Sequence, residues 1–295
     1  MPRFIPVLLL LNIIALKCFC QEDTTSTMWN SRPDTTIVTE TNHNPVLPAR
    51  TQVYRVKNGI DIPLTIATTA YTLYGFTVVY GRDKTPEEVI LNLNPQNVNS
   101  LDRRITGNYS QSAKSASDYF FYGSMPLPLV LLFDRQIRKD AAKVGLLYLQ
   151  ALSVTGSLYV SSSMIADRFR PYTYNPSVDM ARRTGGGGKN SFFAGHPAIV
   201  TTSTFFMAKV YSDYHPEMKN KWILYAAAGS ASLATGLLRI KAGEHFITDV
   251  MVGIPVGAIV GIMVPHIHKN KHSSLTVLPT YNQRQPGFYL SWSPR

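Results

Sequence analysis

Cysteine is nearly absent from this 295-residue chain, because the only two lie at Cys18 and Cys20 in an apolar N-terminal stretch. Arg3 precedes the apolar run PVLLLLNIIAL, and small residues follow it where a signal peptidase cleaves. This pattern predicts a secretory signal peptide over residues 1–20, with an uncleaved anchor helix as the alternative. Once the signal is removed, the chain has no cysteine, which excludes disulfides, a cysteine-ligated metal site and a cysteine nucleophile.

Charged residues are also scarce, at 16% of the chain against about 25% in typical soluble domains. The net charge is nevertheless +11. Several of the cations lie in short loops between apolar segments, and the sequence carries no recognisable nucleic-acid-binding motif. We therefore expect a membrane and not a nucleic acid as the partner of this chain.

Residues 21–58 are rich in Thr, Asn, Asp, Glu and Pro, which predicts a flexible lead-in. Residues 59–271 contain six apolar segments, which predict an all-α bundle of about six core helices embedded in a membrane. Because some segments are short or diluted by polar residues, a soluble periplasmic bundle is the alternative. The segments are Ile60–Gly81, Asp118–Phe133, Ala141–Ala166, Pro197–Tyr211, Trp222–Leu238 and Phe246–Pro265.

The C-terminal tail, residues 272–295, contains the runs SSLTVLPTY and FYLSW on either side of NQRQPG. Two strand-like runs around a turn predict a small hairpin, a β-like extension of the helical domain.

The stretch Gly236–Asp249 reads GLLRIKAGEHFITD, with Arg239 followed by His245 and then Asp249. Positions four apart share one face of a helix, so Asp249 is expected to accept the proton of one ring nitrogen of His245. The other nitrogen would then be free to act as a base, a nucleophile or a metal ligand.

Two further motifs precede this stretch, DRFRP at Asp167–Pro171 and SFFAGH at Ser191–His196. In this order, the three resemble the type 2 phosphatidic acid phosphatase and vanadium haloperoxidase superfamily. Its pattern is Lys-x6-Arg-Pro, then Pro-Ser-Gly-His, then Ser-Arg-x5-His-x3-Asp. The resemblance is close over residues 167–249 and extends loosely back to about Asp118. The chain departs from the family pattern at Ser163 (family Lys), Phe193 (Pro), Ala194 (Ser) and Leu238 (Ser).

The resemblance implies a role for each motif residue. Arg170 and Arg239 would bind the phosphate and stabilise the transition state. His245 would be the nucleophile that forms a phosphohistidine, with Asp249 orienting its ring. His196 would protonate the leaving alcohol and later activate water.

Two more residues are candidates for phosphate contacts. The amide of Gly195 precedes a predicted helix, whose free N–H groups favour an anion. Lys189 lies in a glycine-rich loop, Tyr172–Asn190, and is a candidate substitute for the lysine absent at Ser163. That loop is interpreted either as a mobile lid over the site or as a plain linker.

The implied activity is that of a metal-independent phosphoric monoester hydrolase acting on mono- or diphosphate esters. The expected substrate is a phospholipid or polyprenyl phosphate at a membrane surface, and no cofactor is expected. Vanadate would bind only in a haloperoxidase-like protein, which the short chain and apolar segments disfavour. The alternatives are a soluble periplasmic acid phosphatase and a weakened, binding or structural member of the family.

The basic loops Asp134–Lys143 and His215–Lys221 predict which ends of the apolar segments face the cytoplasm. The motif loops would then face the periplasm from the inner membrane of a bacterial envelope. A cleaved signal conflicts with this orientation, because three crossings would precede Arg170. Three resolutions remain open: the signal stays as an anchor, the first segment does not cross, or the bundle does not span a membrane.

Overall fold

The structure, a computed structural model, describes residues 52–270 and the backbone of two strands, 274–282 and 285–293. The predicted signal peptide, residues 1–20, and the predicted lead-in as far as residue 51 lie outside the described residues.

Six long helices form the domain, in agreement with the all-α bundle predicted from the six apolar segments. We name them α1 (Asn58–Tyr80), α2 (Gln111–Ser124), α3 (Ala141–Ala166), α4 (Gly195–Tyr214), α5 (Lys221–Lys241) and α6 (Ile247–Ile267). The main difference concerns α2, which begins seven residues before the predicted segment and stops short of Pro126 and Pro128. A 3-10 helix, Leu127–Phe133, continues its course. The break has a physical reason, since proline cannot donate the backbone hydrogen bond of a helix interior.

Short helices fill the connections at both ends of the bundle. They are Glu87–Leu91, Pro95–Asn97, Ser100–Arg103, Arg135–Arg138, Pro171–Tyr174, Met180–Arg183 and Gly186–Lys189.

The two ends of the bundle are identified by contacts between distant loops. At one end, Tyr54 pairs with Lys269, and Asp61 at the start of α1 lies 3.1 Å from His268. At the other end, Arg82 just beyond α1 donates to the side-chain oxygen of Asn190 at 3.0 Å. Helix α1 therefore runs the full length of the bundle, so the option in which the first segment does not cross is not supported.

Four of these helices, α1, α3, α5 and α6, are long and apolar enough to cross a membrane. Their outer faces expose large apolar side chains such as Leu73, Leu233 and Ile259, which suit a hydrocarbon environment. Helix α4 occupies the centre instead, and the hydroxyls of its buried threonines donate to carbonyls of the preceding turn. The arrangement is that of a membrane-embedded bundle.

A row of three glycines on α6 packs directly against the backbone of α4. A Cβ atom at these positions would lie 2.6, 2.2 and 2.7 Å from carbonyl oxygens of the N-cap residue and the first turns of α4. The pairs are Gly253 with Ala194, Gly257 with Ala198, and Gly261 with Thr202. Small residues at four-residue spacing let two helix backbones approach closely within a bilayer.

The C-terminal strands form the predicted hairpin. Strand β1 (Ser274–Asn282) pairs antiparallel with β2 (Gln285–Ser293), in a register that runs from Ser274 opposite Ser293 to Asn282 opposite Gln285.

Candidate active site

All three motifs meet at the end of the bundle where α1, α3 and α5 end and α4 and α6 begin. Arg170 lies four residues after the end of α3, and Arg239 in the last turn of α5. His196 is the second residue of α4, and His245 lies in the short loop between α5 and α6. The fold therefore brings segments from distant parts of the sequence to one place.

A buried carboxylate, that of Glu244, stands at the centre of the site. It forms ion pairs with Arg170, with Arg239 at 3.4 Å and with Arg182 at 3.0 Å. The two predicted arginines thus converge on one anion, together with a third that the sequence analysis did not identify. The one signal for Glu244 was its position directly before the motif histidine.

His245 is almost fully buried, and its Nδ1 lies 2.6 Å from the backbone carbonyl of Ser191. A carbonyl only accepts hydrogen bonds, so Nδ1 carries the proton and Nε2 keeps its lone pair. The sequence-based expectation that Asp249 takes this proton needs correction, because the carboxylate lies 3.9 Å from Nδ1, beyond hydrogen-bond range. The reason is that α6 begins at Ile247, so His245 precedes the helix and the four-residue spacing does not apply to it.

Asp249 instead stabilises the two segments that lie against His245. Its carboxylate accepts hydrogen bonds from the Ser191 hydroxyl at 2.6 Å and from the Phe246 amide at 2.8 Å. It also pairs with Arg168. Asp249 therefore fixes the start of α6 and the Ser191 segment, whose carbonyl orients the ring of His245.

Burial lowers the pKa of His245 well below its ordinary value, and the positive charges of Arg170 and Arg239 lower it further. A smaller contribution comes from His196, which shows that these four groups share one electrostatic environment. His245 is therefore neutral at neutral pH, the state that a nucleophile requires.

His196 faces the same cluster through Asp118. Its Nε2 lies 3.5 Å from the Asp118 carboxylate, which is 3.2 Å from Arg239. The imidazole also packs on the ring of Phe121, with centroids 4.2 Å apart. Helix α2, which carries Asp118 and Phe121, thus orients the predicted general acid.

The polar segment before α2 forms part of the site as well. Asp102 is fully buried and pairs with Arg168 at 2.7 Å, while accepting from the Thr248 amide and hydroxyl at 3.1 and 2.5 Å. Burial alone would raise the pKa of Asp102, but hydrogen bonds from Thr248, Asn99 and Arg168 outweigh it and lower the pKa below its ordinary value. Arg168 therefore bridges the carboxylates of Asp102 and Asp249. We did not predict this role for Asp102.

Gly243 lets the α5–α6 loop approach this polar segment. It adopts a φ of 74°, and a Cβ there would lie 1.8 Å from the carbonyl oxygen of Asn108. Glycine alone suits this position, because the left-handed conformation and the close approach both exclude a side chain.

The structure does not bring Lys189 into the arginine cluster. Its ammonium lies 3.5 Å from Asp167 and 5.2 Å from the ring centroid of Phe169. The glycine-rich loop around it packs closely, since a Cβ at Gly186 would lie 2.1 Å from the carbonyl oxygen of Arg82.

Gly195, by contrast, opens α4 beside His196. A Cβ at Gly195 would lie 2.8 Å from the ring of Tyr159, so glycine is required for packing here. A direct contact between its amide and phosphate stays a prediction.

The departures from the family pattern are accommodated by packing. Ser163 is buried, with its hydroxyl 3.3 Å from the Phe192 carbonyl. Phe193 and Ala194 are buried beneath the start of α4, where Phe193 contacts Tyr159 edge-on. Leu238 is half-buried on α5, next to the buried Arg239.

Comparison with known proteins agrees with this picture. Residues 144–273 match the family model of the PAP2 superfamily, which confirms the resemblance predicted from the motifs. A lipid A 4'-phosphatase of Porphyromonas gingivalis is 31% identical over 103 residues, which cover 34% of this chain and 40% of that protein. The match thus spans less than half the length of this relative.

A solved structure of a transmembrane PAP2 type phosphatidylglycerolphosphate phosphatase from Bacillus subtilis is also similar. The likeness covers 70% of this chain and 90% of that one, with 20% identity and a TM-score of 0.37.

Proposed function

We propose that this protein is a membrane phosphatase that hydrolyses the phosphate monoesters or diphosphate esters of lipids. The reaction would proceed through a phosphohistidine intermediate. The observation that carries the proposal is the convergence of Arg170, Arg239, His245 and His196 around one buried anionic position. The match to the PAP2 superfamily and the lipid phosphatase among the relatives support the same class of reaction.

In the first step, the free Nε2 of His245 attacks phosphorus, a P–N bond forms and the P–O ester bond breaks. The departing oxygen takes a proton from His196, which acts as the general acid. Burial and the positive charge of Arg239 lower the pKa of His196 in the substrate-free protein, and the negative charge of bound phosphate favours its protonated form. Arg170 and Arg239 balance the charge of the equatorial oxygens, which is where phosphoryl transfer gains most of its catalysis.

In the second step, water attacks the phosphohistidine and gives its proton to His196. The P–N bond breaks, inorganic phosphate leaves and both imidazoles return to their initial state. These residues complete the cycle without a metal ion, so metal independence is part of the proposal.

An apolar groove beside His196 supports a lipid substrate. A cavity of about 60 Å³ is lined by His196, Tyr80 and Tyr159. It shares Phe76 and Phe121 with a second cavity of about 250 Å³ that continues between α1, α2 and α3. The groove leads from His196 towards the apolar side of the bundle, where an acyl or polyprenyl chain would lie.

Blocking this groove should separate lipid from soluble substrates. Leu152 lines the larger cavity, so Leu152→Trp is expected to lower kcat/KM for a long-chain phosphatidic acid in mixed micelles about tenfold or more. Hydrolysis of a small chromogenic phosphomonoester should change less than twofold. Steady-state kinetics on both substrates provide the measurement.

Leu233→Trp is the matched control, because Leu233 is 59% exposed on the outer face of α5. It should leave both activities unchanged. An equal loss on both substrates in Leu152→Trp would contradict a specific role of the groove in binding the lipid chain.

We further propose that the site faces the periplasm from the inner membrane, with the basic loops at the opposite end of the bundle in the cytoplasm. The test uses single cysteines in a Cys18→Ser, Cys20→Ser background, placed at exposed Ser177 near the site and exposed Lys139 at the other end. A membrane-impermeant maleimide should label only Ser177→Cys when the outer face of the inner membrane is accessible. Labelling of Lys139→Cys alone would show that the orientation is the opposite one, with the site facing the cytoplasm.

A further inference from the structure

Three guanidinium groups surround the Glu244 carboxylate. The family pattern contains two arginines and a lysine, so the third arginine here lies outside that pattern. Arg170 and Arg239 are both buried, and the Nε of each has no hydrogen-bond partner among the described residues. Buried donors without acceptors are costly, and a bound oxyanion would supply acceptors for them. The Glu244 carboxylate thus marks a position built for an anion.

The position of the family lysine does not supply the third positive charge. Ser163 is buried against the Phe192 carbonyl, and Lys189 pairs with Asp167 outside the cluster. A third positively charged contact to the phosphate therefore requires a side chain other than residue 163 or Lys189.

Arg182 is held in place to provide it. Its guanidinium lies 4.9 Å from the ring centroid of Tyr109 and 5.0 Å from that of Tyr172. One nitrogen also lies 3.2 Å from the side-chain oxygen of Gln111, while the other reaches Glu244 at 3.0 Å. Two aromatic faces and a hydrogen bond restrict the guanidinium before any ligand binds, which reduces the entropy lost on binding.

We infer that Arg182 is the third phosphate-binding residue of this site and replaces the lysine that is absent at Ser163. Glu244 occupies the anion position in the empty protein, and substrate phosphate displaces its carboxylate. This inference deepens the proposed function, since it assigns a residue to the same phosphate site.

The test measures binding of inorganic phosphate to the full-length protein in detergent by calorimetry, which requires no turnover. Arg182→Ala should weaken phosphate binding about tenfold, and Arg182→Lys should recover part of that loss because a positive charge remains. Lys189→Ala is the matched control and should bind phosphate as the wild type does. Equal affinities of Arg182→Ala and wild type, or a loss confined to Lys189→Ala, would overturn the inference.

Glu244→Gln gives an independent readout. Removing the competing negative charge should tighten phosphate binding at least threefold, whereas unchanged or weaker binding by a folded Glu244→Gln protein would contradict displacement of the carboxylate. Thermal unfolding of each variant shows whether it is folded.

The two proposals fail in different ways. Phosphate binding that depends on Arg182, without any hydrolysis of lipid or chromogenic phosphates, would refute the phosphatase and keep the anion site. Hydrolysis with normal phosphate affinity in Arg182→Ala would keep the phosphatase and refute the role of Arg182. A wild-type protein that does not bind phosphate would refute the anion site itself.

Discussion

Replacing His245 by alanine should reduce phosphomonoester hydrolysis at least about a thousandfold, because removal of a nucleophile eliminates the covalent route. The measurement is kcat/KM on a chromogenic phosphomonoester and on a lipid phosphate. The environment of His245 supports this expectation, since Nδ1 is engaged by Ser191 and the opposite nitrogen is left for reaction. A residual rate within threefold of wild type would remove the assignment.

The matched control is His215→Asn, because His215 lies at the other end of the bundle, 3.0 Å from Asp134. It should retain full activity. Replacing His196 distinguishes the two roles: His196→Ala should lose about 10²–10⁴-fold on an alkyl phosphate, but much less on a nitrophenyl ester, whose leaving group needs no protonation. His245→Ala should fail on both esters.

Replacing Asp102 by asparagine should destabilise the folded protein by about 1–3 kcal/mol, the usual cost of leaving buried hydrogen-bonding groups without their partner. Asparagine would present an amide N–H₂ group to Arg168 or Thr248, which are both donors to the carboxylate. Because Arg168 also holds Asp249, we expect a fall in kcat/KM in addition to a lower melting temperature in detergent.

Asp83→Asn is the control, since Asp83 lies in the same polar segment and is exposed. Its melting temperature should stay within measurement error of the wild type. If Asp102→Asn has the same melting temperature as Asp83→Asn, the Asp102–Arg168 pair contributes little to the stability of the fold. The polar segment would then not be required to hold the site together.

The helices could be predicted from the sequence because length and hydropathy are local properties. The predicted bounds of α3 agree with the structure at both ends, and those of α6 differ by one or two residues. The exception was α2, whose first half carries Gln, Ser and Lys. Its polar residues face the arginine cluster, as Ser117 and Asp118 show by contacting Arg239 at 3.3 and 3.2 Å. Hydropathy alone therefore missed the polar first half of the helix, which includes Ser117.

The residues that converge on the site were predicted by motif order, whereas their partners were not. Arg182 and Asp102 lie in connections of irregular structure, and no local pattern indicates which loop residue will reach an ion pair across the fold. Helix spacing predicted a hydrogen bond from His245 to Asp249. The two side chains are neighbours at 3.9 Å, but the proton of Nδ1 goes to the Ser191 carbonyl instead, because the helix begins between His245 and Asp249. Whether each motif residue performs its proposed step stays a prediction.

The glycine row on α6 constrains the geometry of the proposed reaction. Of the two imidazoles proposed for catalysis, His196 lies in the first turn of α4 and His245 lies two residues before α6. The backbones of these two helices are in direct contact at the three glycines. Movement of α6 along or around α4 would bring carbonyl oxygens of α4 too close to the α-carbons of the glycines on α6. The packing of these two helices therefore fixes the distance between the proposed nucleophile and the proposed proton donor. The two imidazoles need no closing motion of these helices to align them, and their spacing should be the same with and without substrate.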